Sequence, residues 1–161
     1  KSPYKLPPFE LLRESGIRFL TLGGFEENGK LVFKENEKSD VKSTREFLNP
    51  NKHVNFWSSD FDLERHIVKS KLFPSNLLFA QKLVKQALNF KKNTREKTIP
   101  FKLTGQNCSA WVNTMFKMAG VKEESRKKSG EFSGVDWGEE DLLETNFFKY
   151  ITLIAGKPSS G

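Results

Sequence analysis

The stretch from Asn107 to Gly120 constrains the fold most, because its apolar residues recur at the spacing of one helix face. These residues are Cys108, Trp111, Val112, Met115, Phe116 and Ala119. Such spacing is typical of an amphipathic helix with one side in the core. Asn107 is a favourable N-cap, since its side-chain oxygen can accept a hydrogen bond from a first-turn amide. Gly120 suits the left-handed residue that ends a helix. The pattern therefore predicts a helix from Cys108 to Ala119.

Cys108 is the only cysteine of the chain, and it falls in the first turn of this predicted helix. Free amides and the helix dipole stabilise a thiolate at that position, which favours a nucleophile. A lone cysteine on an apolar stripe is also often a small buried hydrophobe. The spacing leaves both interpretations open.

Length and composition favour one domain spanning residues 1–161, with a lead-in over 1–15 and a disordered tail over 157–161. A single cysteine excludes an internal disulfide framework and a thiolate zinc cluster. No apolar run reaches the roughly 18 residues that a membrane-spanning helix needs. The sequence predicts no cofactor, no metal and no transmembrane segment.

The formal net charge is +7, and lysines occur in almost every segment. A nucleic acid or an anionic membrane could use such a charge. The chain shows no basic helix, zinc finger or RNA-binding aromatic motif to accompany it. We therefore interpret the lysines as a solvated surface; binding of a nucleic acid is a third and weaker alternative, which requires the lysines to cluster on one face.

The remaining patterns predict an α+β fold, a small, mostly antiparallel sheet packed on two main helices, 75–91 and 108–119. Residues 9–12 are predicted to form a helical turn. Residues 17–22 and 30–34 are predicted as the two strands of a hairpin that turns at Asn28-Gly29, with a further turn at residues 23–24. A polar loop follows, with a helical turn at 44–48. Strands are predicted at 53–57 and 66–73, a helix capped by Ser75, and a closing strand or short helix at 146–155.

The segment Leu103–Asn113, Leu-Thr-Gly-Gln-Asn-Cys-Ser-Ala-Trp-Val-Asn, resembles the Asn-Cys-x-x-Phe/Trp-Val signature of circularly permuted papain-like proteins. These include lecithin:retinol acyltransferase-like and NlpC-like proteins and domains of bacterial toxins and effectors. The resemblance covers about residues 16–121. It implies a permuted papain-like fold, in which the strands precede the cysteine helix.

The resemblance implies that Cys108 is a nucleophile activated by a histidine, and the chain has only His53 and His66. Asp60, Asp62 or Glu64 could orient His66. Asn107 and Gln106, with the helix start, are the implied oxyanion and cap residues.

The sequence departs from the family near residues 17–19, where the family's first strand usually carries the catalytic histidine. Arg18 stands there and could hold Cys108 as a thiolate by its charge. Trp111 and Asp62 are further candidates for the cleft.

Two functions follow from these residues. One is a cysteine-dependent hydrolase or acyltransferase acting on amide, peptide or ester bonds of a protein, peptide or lipid acyl substrate. The other is a catalytically degenerate papain-like domain that binds a host or partner protein through Trp57, Phe132 and Trp137. The absence of disulfides suits a reducing compartment or a secreted effector domain.

Overall fold

The computed structural model describes residues 9–49, 75–122 and 142–150. Within them, the elements in chain order are strands β1 (Leu12–Glu14), β2 (Ile17–Phe19), β3 (Leu22–Glu27) and β4 (Lys30–Glu35), helices α1 (Lys38–Leu48), α2 (Asn76–Glu96) and α3 (Cys108–Met118), and a 3₁₀ helix (Thr145–Phe148). The strands form two antiparallel pairs, β1–β2 and β3–β4. The α+β class is thus confirmed. The permuted papain-like arrangement stays a prediction, because its strands 53–57 and 66–73 lie outside the described residues.

The β3–β4 hairpin turns at Asn28-Gly29, as predicted. Both residues have positive φ, 54° and 77°, which the two-residue turn between right-twisted strands requires. The Gly29 amide also donates to a carboxylate oxygen of Glu26 at 2.6 Å. Leu31 and Phe33 of β4 are buried, so one face of this hairpin belongs to the core.

Gly23 and Gly24 form part of β3, so their prediction as a turn was wrong. A Cβ on Gly24 would lie 2.6 Å from Cγ of Trp111, closer than real Cβ contacts allow. The glycine therefore gives the Trp111 ring room against the strand, and α3 packs directly on β3. Glycine inside a strand often marks such a close approach rather than a turn.

The first hairpin also differs from its prediction. Residues 12–14 form a strand rather than a helical turn, and they pair with residues 17–19. Ser15 and Gly16 have positive φ, 53° and 81°, and form the connecting turn. The predicted strand 17–22 consequently breaks after Phe19, and its last residue begins β3.

Helix α1 occupies a segment that was predicted as a loop with one helical turn at 44–48. Its only apolar residues are Val41, Phe47 and Leu48, and none of its residues is buried, so few apolar positions were available to indicate a helix. Its start is fixed locally, since a Glu37 carboxylate oxygen accepts from the Ser39 amide at 3.0 Å.

Helix α2 begins at the predicted cap, where Ser75 Oγ accepts from the Leu78 amide at 3.1 Å. It continues past its predicted end at residue 91 to Glu96. The Asn93 side chain is buried, and its Nδ2 donates to the carbonyl oxygen of Phe147 at 2.9 Å. Asn93 thus holds the C-terminal segment instead of ending the helix.

Helix α3 matches its prediction closely, running from Cys108 to Met118. It ends at Gly120, whose φ is 86°. The Gly120 amide donates to the Lys117 carbonyl at 3.0 Å and the Val121 amide to the Phe116 carbonyl at 2.9 Å. These two bonds form a Schellman motif, which satisfies the last carbonyls of the helix.

The Trp111 side chain lies at the centre of the core and is 1% exposed. It stacks on Phe33 of β4, with ring centroids 5.8 Å apart and an interplanar angle of 12°. The edge of Phe90 from α2 meets it at 5.9 Å, and Phe148 of the 3₁₀ helix lies 5.9 Å away. One indole therefore joins the hairpin, α2, α3 and the C-terminal segment.

The C-terminal segment 142–150 is held by side-chain hydrogen bonds as well as by this ring cluster. Asn89 Nδ2 donates to the Phe148 carbonyl at 3.1 Å, and the Leu143 amide donates to Thr114 Oγ1 at 2.8 Å. The predicted closing element begins with a 3₁₀ helix, Thr145–Phe148, which matches the short-helix alternative. Residues 151–155 of that prediction lie outside the described residues.

We predict that Gly24→Ala lowers the free energy of unfolding by about 1–3 kcal/mol, because the new methyl group forces the Trp111 ring away from β3. Urea unfolding measures this change. Gly16→Ala is the matched control, since a Cβ there meets no atom within 4 Å and only the left-handed backbone is strained. A Gly24→Ala variant as stable as the wild type would contradict the close packing of α3 on β3.

Candidate functional site

The loop that leads into Cys108 is braced by hydrogen bonds. The Phe101 amide donates to the Gly29 carbonyl at 2.9 Å, which joins the loop to the β3–β4 turn. The Lys102 amide donates to the Gln106 carbonyl at 2.9 Å, and Gln106 Nε2 donates to the Pro100 carbonyl at 2.7 Å. The start of α3 is therefore held in a defined position relative to the hairpin.

Asn107 is the N-cap of α3, as the sequence predicts, and it is buried. Its Oδ1 accepts from the Ala110 amide at 3.0 Å, while its Nδ2 donates to the Leu103 carbonyl at 2.6 Å. Both ends of this side chain thus support the loop and the helix. The oxyanion roles of Asn107 and Gln106 stay predictions. The amides of Cys108 and Ser109 come before the first intrahelical hydrogen bond and are further donors beside the thiol.

Cys108 is exposed, although it belongs to the predicted apolar stripe. Trp111, Met115 and Ala119 of the same stripe are buried. Helical side chains lean toward the N-terminus, so the side chain of the first residue projects beyond the end of the helix and no preceding turn covers it. The alternative that Cys108 is a buried core residue is therefore wrong.

The pKa of the Cys108 thiol is raised above its ordinary value. The largest cause is desolvation of the thiol by the surrounding protein atoms, which disfavours the charged thiolate. The backbone N–H of Cys108 lowers the pKa, whereas the negative charge of Asp40 raises it further. The helix start alone does not offset these effects, in contrast to the expectation of a stabilised thiolate. The described neighbours thus favour the neutral thiol over the thiolate, and a base is needed to activate it.

Asp40 is the acidic residue that acts on Cys108, and sequence reasoning missed it. It lies in the first turn of α1 and is half-buried. A Cβ on Gly23 would lie 3.3 Å from Asp40 Oδ2, so the glycine leaves room for the carboxylate. Burial raises the pKa of Asp40, and the charge of Glu37 raises it further. Since α1 was not recognised as a helix, no pattern pointed to this residue.

The structure places the other candidates as follows. Trp111, predicted as a cleft residue, is buried in the core, where the glycine at position 24 leaves room for its ring against the strand. Arg18 is exposed on β2, where it pairs with Arg13. His53, His66 and Asp62 lie outside the described residues, so the predicted base and its orienting residue are not tested.

Two further features concern the described residues only. They contain no group of three or more His, Cys, Asp or Glu side chains that could hold a metal ion. In the same ranges, every helix is too short or too polar to cross a membrane.

Comparison of the chain with protein-family models, with curated proteins and with solved structures finds no match. The resemblance to permuted papain-like proteins therefore rests on the residues around Cys108 and stays a prediction.

We predict that Asp40→Asn makes Cys108 ionise at lower pH, because the substitution removes a negative charge that raises the thiol pKa. The rate of labelling by iodoacetamide, followed from pH 6 to 10, reports the thiolate fraction. Its midpoint should move to lower pH in the variant, and labelling at neutral pH should be faster.

Glu46→Gln is the control, because it removes one negative charge elsewhere on α1. Its labelling midpoint should equal that of the wild type. An unchanged midpoint in Asp40→Asn would show that the carboxylate does not act on the thiol.

Proposed function

We propose that this protein is a cysteine-dependent acyl-transfer enzyme, a hydrolase or acyltransferase of amide, peptide or ester bonds, with Cys108 as its nucleophile. The observation that supports the proposal is an exposed thiol at the first residue of a helix that is otherwise fixed in the core. A nucleophile needs both access to the substrate and a defined position, and this arrangement supplies both.

The chemistry would proceed through a thioester. The Cys108 sulfur attacks the acyl carbon as its proton passes to a base, and the carbonyl oxygen becomes an oxyanion. First-turn amides, such as those of Cys108 and Ser109, donate hydrogen bonds to that oxygen. The leaving group departs with a proton, and water or a second nucleophile then takes the acyl group from sulfur.

The base in this proposal is His53 or His66. A histidine suits the task, because it accepts a proton near neutral pH and returns it to the leaving group. For His66, the residue that orients the imidazole in this proposal is one of the nearby carboxylates Asp60, Asp62 and Glu64.

A second candidate function is a degenerate papain-like domain that binds a protein partner. The raised pKa of Cys108 favours it, because the described residues leave the thiol unactivated. Its predicted aromatic anchors, Trp57, Phe132 and Trp137, lie outside the described residues. The two functions differ in whether Cys108 forms an acyl adduct.

The test is acylation of the full chain by p-nitrophenyl acetate at neutral pH. We expect a burst of p-nitrophenolate and an acetyl adduct on Cys108, located by peptide mass spectrometry, because the thioester forms before it is hydrolysed. Cys108→Ala should show neither, with an unchanged unfolding midpoint. A wild-type acylation rate no greater than that of the urea-unfolded chain would contradict the proposed enzymatic function and favour the protein-binding function.

His53→Asn and His66→Asn identify the base. We expect one of the two variants to lose about 10²–10⁴-fold in acylation rate, the usual contribution of a general base. The same variant should lose the pH dependence that the imidazole imposes on the wild-type rate. Equal rates in the wild type and both variants would rule out a histidine-activated Cys108.

A further inference from the structure

The β1–β2 ribbon, residues 12–19, has two different faces. Successive side chains of a strand point to opposite sides, so Leu12, Glu14, Ile17 and Phe19 share one face and Arg13 and Arg18 share the other. The first face contacts α1: the Arg45 guanidinium lies 5.5 Å from the centre of the Phe19 ring and 3.4 Å from a Glu14 carboxylate oxygen. Arg45 also donates to the Arg13 carbonyl. The arginine face is therefore turned away from α1.

Arg13 and Arg18 lie directly opposite each other in the register of the two strands. A two-residue turn at Ser15-Gly16 makes Glu14 and Ile17 the hydrogen-bonded closing pair. The next pair, Arg13–Arg18, is then the non-hydrogen-bonded kind, in which the Cα atoms are only about 4.5 Å apart. Two like charges in this position repel each other and destabilise the ribbon.

Nothing in the described part of the chain neutralises this pair. Both arginines are exposed, and neither guanidinium has a hydrogen-bond or ion-pair partner there. The neighbouring carboxylate, Glu14, bonds to Arg45 on the other face. The pair is thus an exposed, uncompensated double positive charge on a narrow two-stranded element.

We propose that the Arg13–Arg18 pair binds the backbone phosphates of a nucleic-acid duplex. A guanidinium matches the geometry of phosphate oxygens, and a phosphate bound by each side chain offsets its charge and so reduces the repulsion between them. The net charge of +7 attracts such a polyanion over a longer range.

The two faces of the ribbon favour a nucleic acid over an anionic membrane. Binding to a membrane interface draws on buried apolar area as well as on attraction to anionic headgroups, and a ribbon that lays its arginine face on a membrane would hold its apolar side chains away from it. Here the exposed Ile17 lies on the face opposite the arginines. The proposal takes up the alternative that the sequence favoured least, because the arginines face each other only through strand register, which no sequence motif shows.

The test is binding of the full chain to a fluorescein-labelled 20-base-pair DNA duplex, followed by anisotropy between 50 and 200 mM salt. If each arginine contacts one phosphate, Arg13→Gln/Arg18→Gln should reduce the slope of log K against log salt by about 1.8, and Arg13→Lys/Arg18→Lys should retain the slope. Lys85→Gln/Lys91→Gln on α2 removes two exposed charges elsewhere and should leave the slope nearly unchanged.

Three results would overturn the proposal. They are no binding of the duplex by the wild type at 50 mM salt, an equal loss in the arginine-to-glutamine and lysine-to-glutamine variants, and arginine-dependent binding to phosphatidylserine vesicles without binding to DNA. The urea midpoint of the arginine-to-glutamine variant should be no lower than that of the wild type, since the substitution relieves a repulsion. A midpoint at or above the wild-type value would show that the variant is folded and that its weaker binding comes from the lost charges.

Discussion

The contact between the Trp111 ring and Gly24 is the constraint on which the described structure depends. A glycine at this point lets an indole lie flat against a strand, and the same indole meets Phe33, Phe90 and Phe148. Aromatic rings supply a large buried area with preferred contact geometries. Elements far apart in the chain therefore share one core, and the position of α3 on the hairpin follows from it.

The position of Cys108 is a consequence of the same contact. The residue is only one helical turn from Trp111, so fixing the indole also fixes the helix start, which Asn107 and the braced loop complete. The thiol projects past the end of the helix, where it is accessible, yet desolvation by neighbouring atoms and the charge of Asp40 raise its pKa. The position of the thiol and its activation are thus separate properties. The described residues fix the position of the thiol, whereas its activation in the proposed function requires a base.

Sequence patterns predict this structure well where a local rule decides the outcome. The Asn107 cap, the Gly120 terminus and the Asn28-Gly29 turn each depend on neighbouring residues alone, and all three are confirmed. The errors arise where a distant contact decides. Gly23-Gly24 resembles a turn until Trp111 packs on it, and α1 has no buried residue whose spacing would reveal it. Asp40 was missed for the same reason, since only the tertiary fold brings α1 to Cys108.

Amide hydrogen exchange in the first turn of α3 tests this account most directly, measured in the wild type and in Gly24→Ala. If the Trp111–Gly24 contact fixes the helix start, the amides of Ala110 and Trp111 should lose protection in the variant by a larger factor than the amides of α1. Protection that falls by the same factor in both helices, or not at all near Ala110, would contradict the claim that this contact positions Cys108.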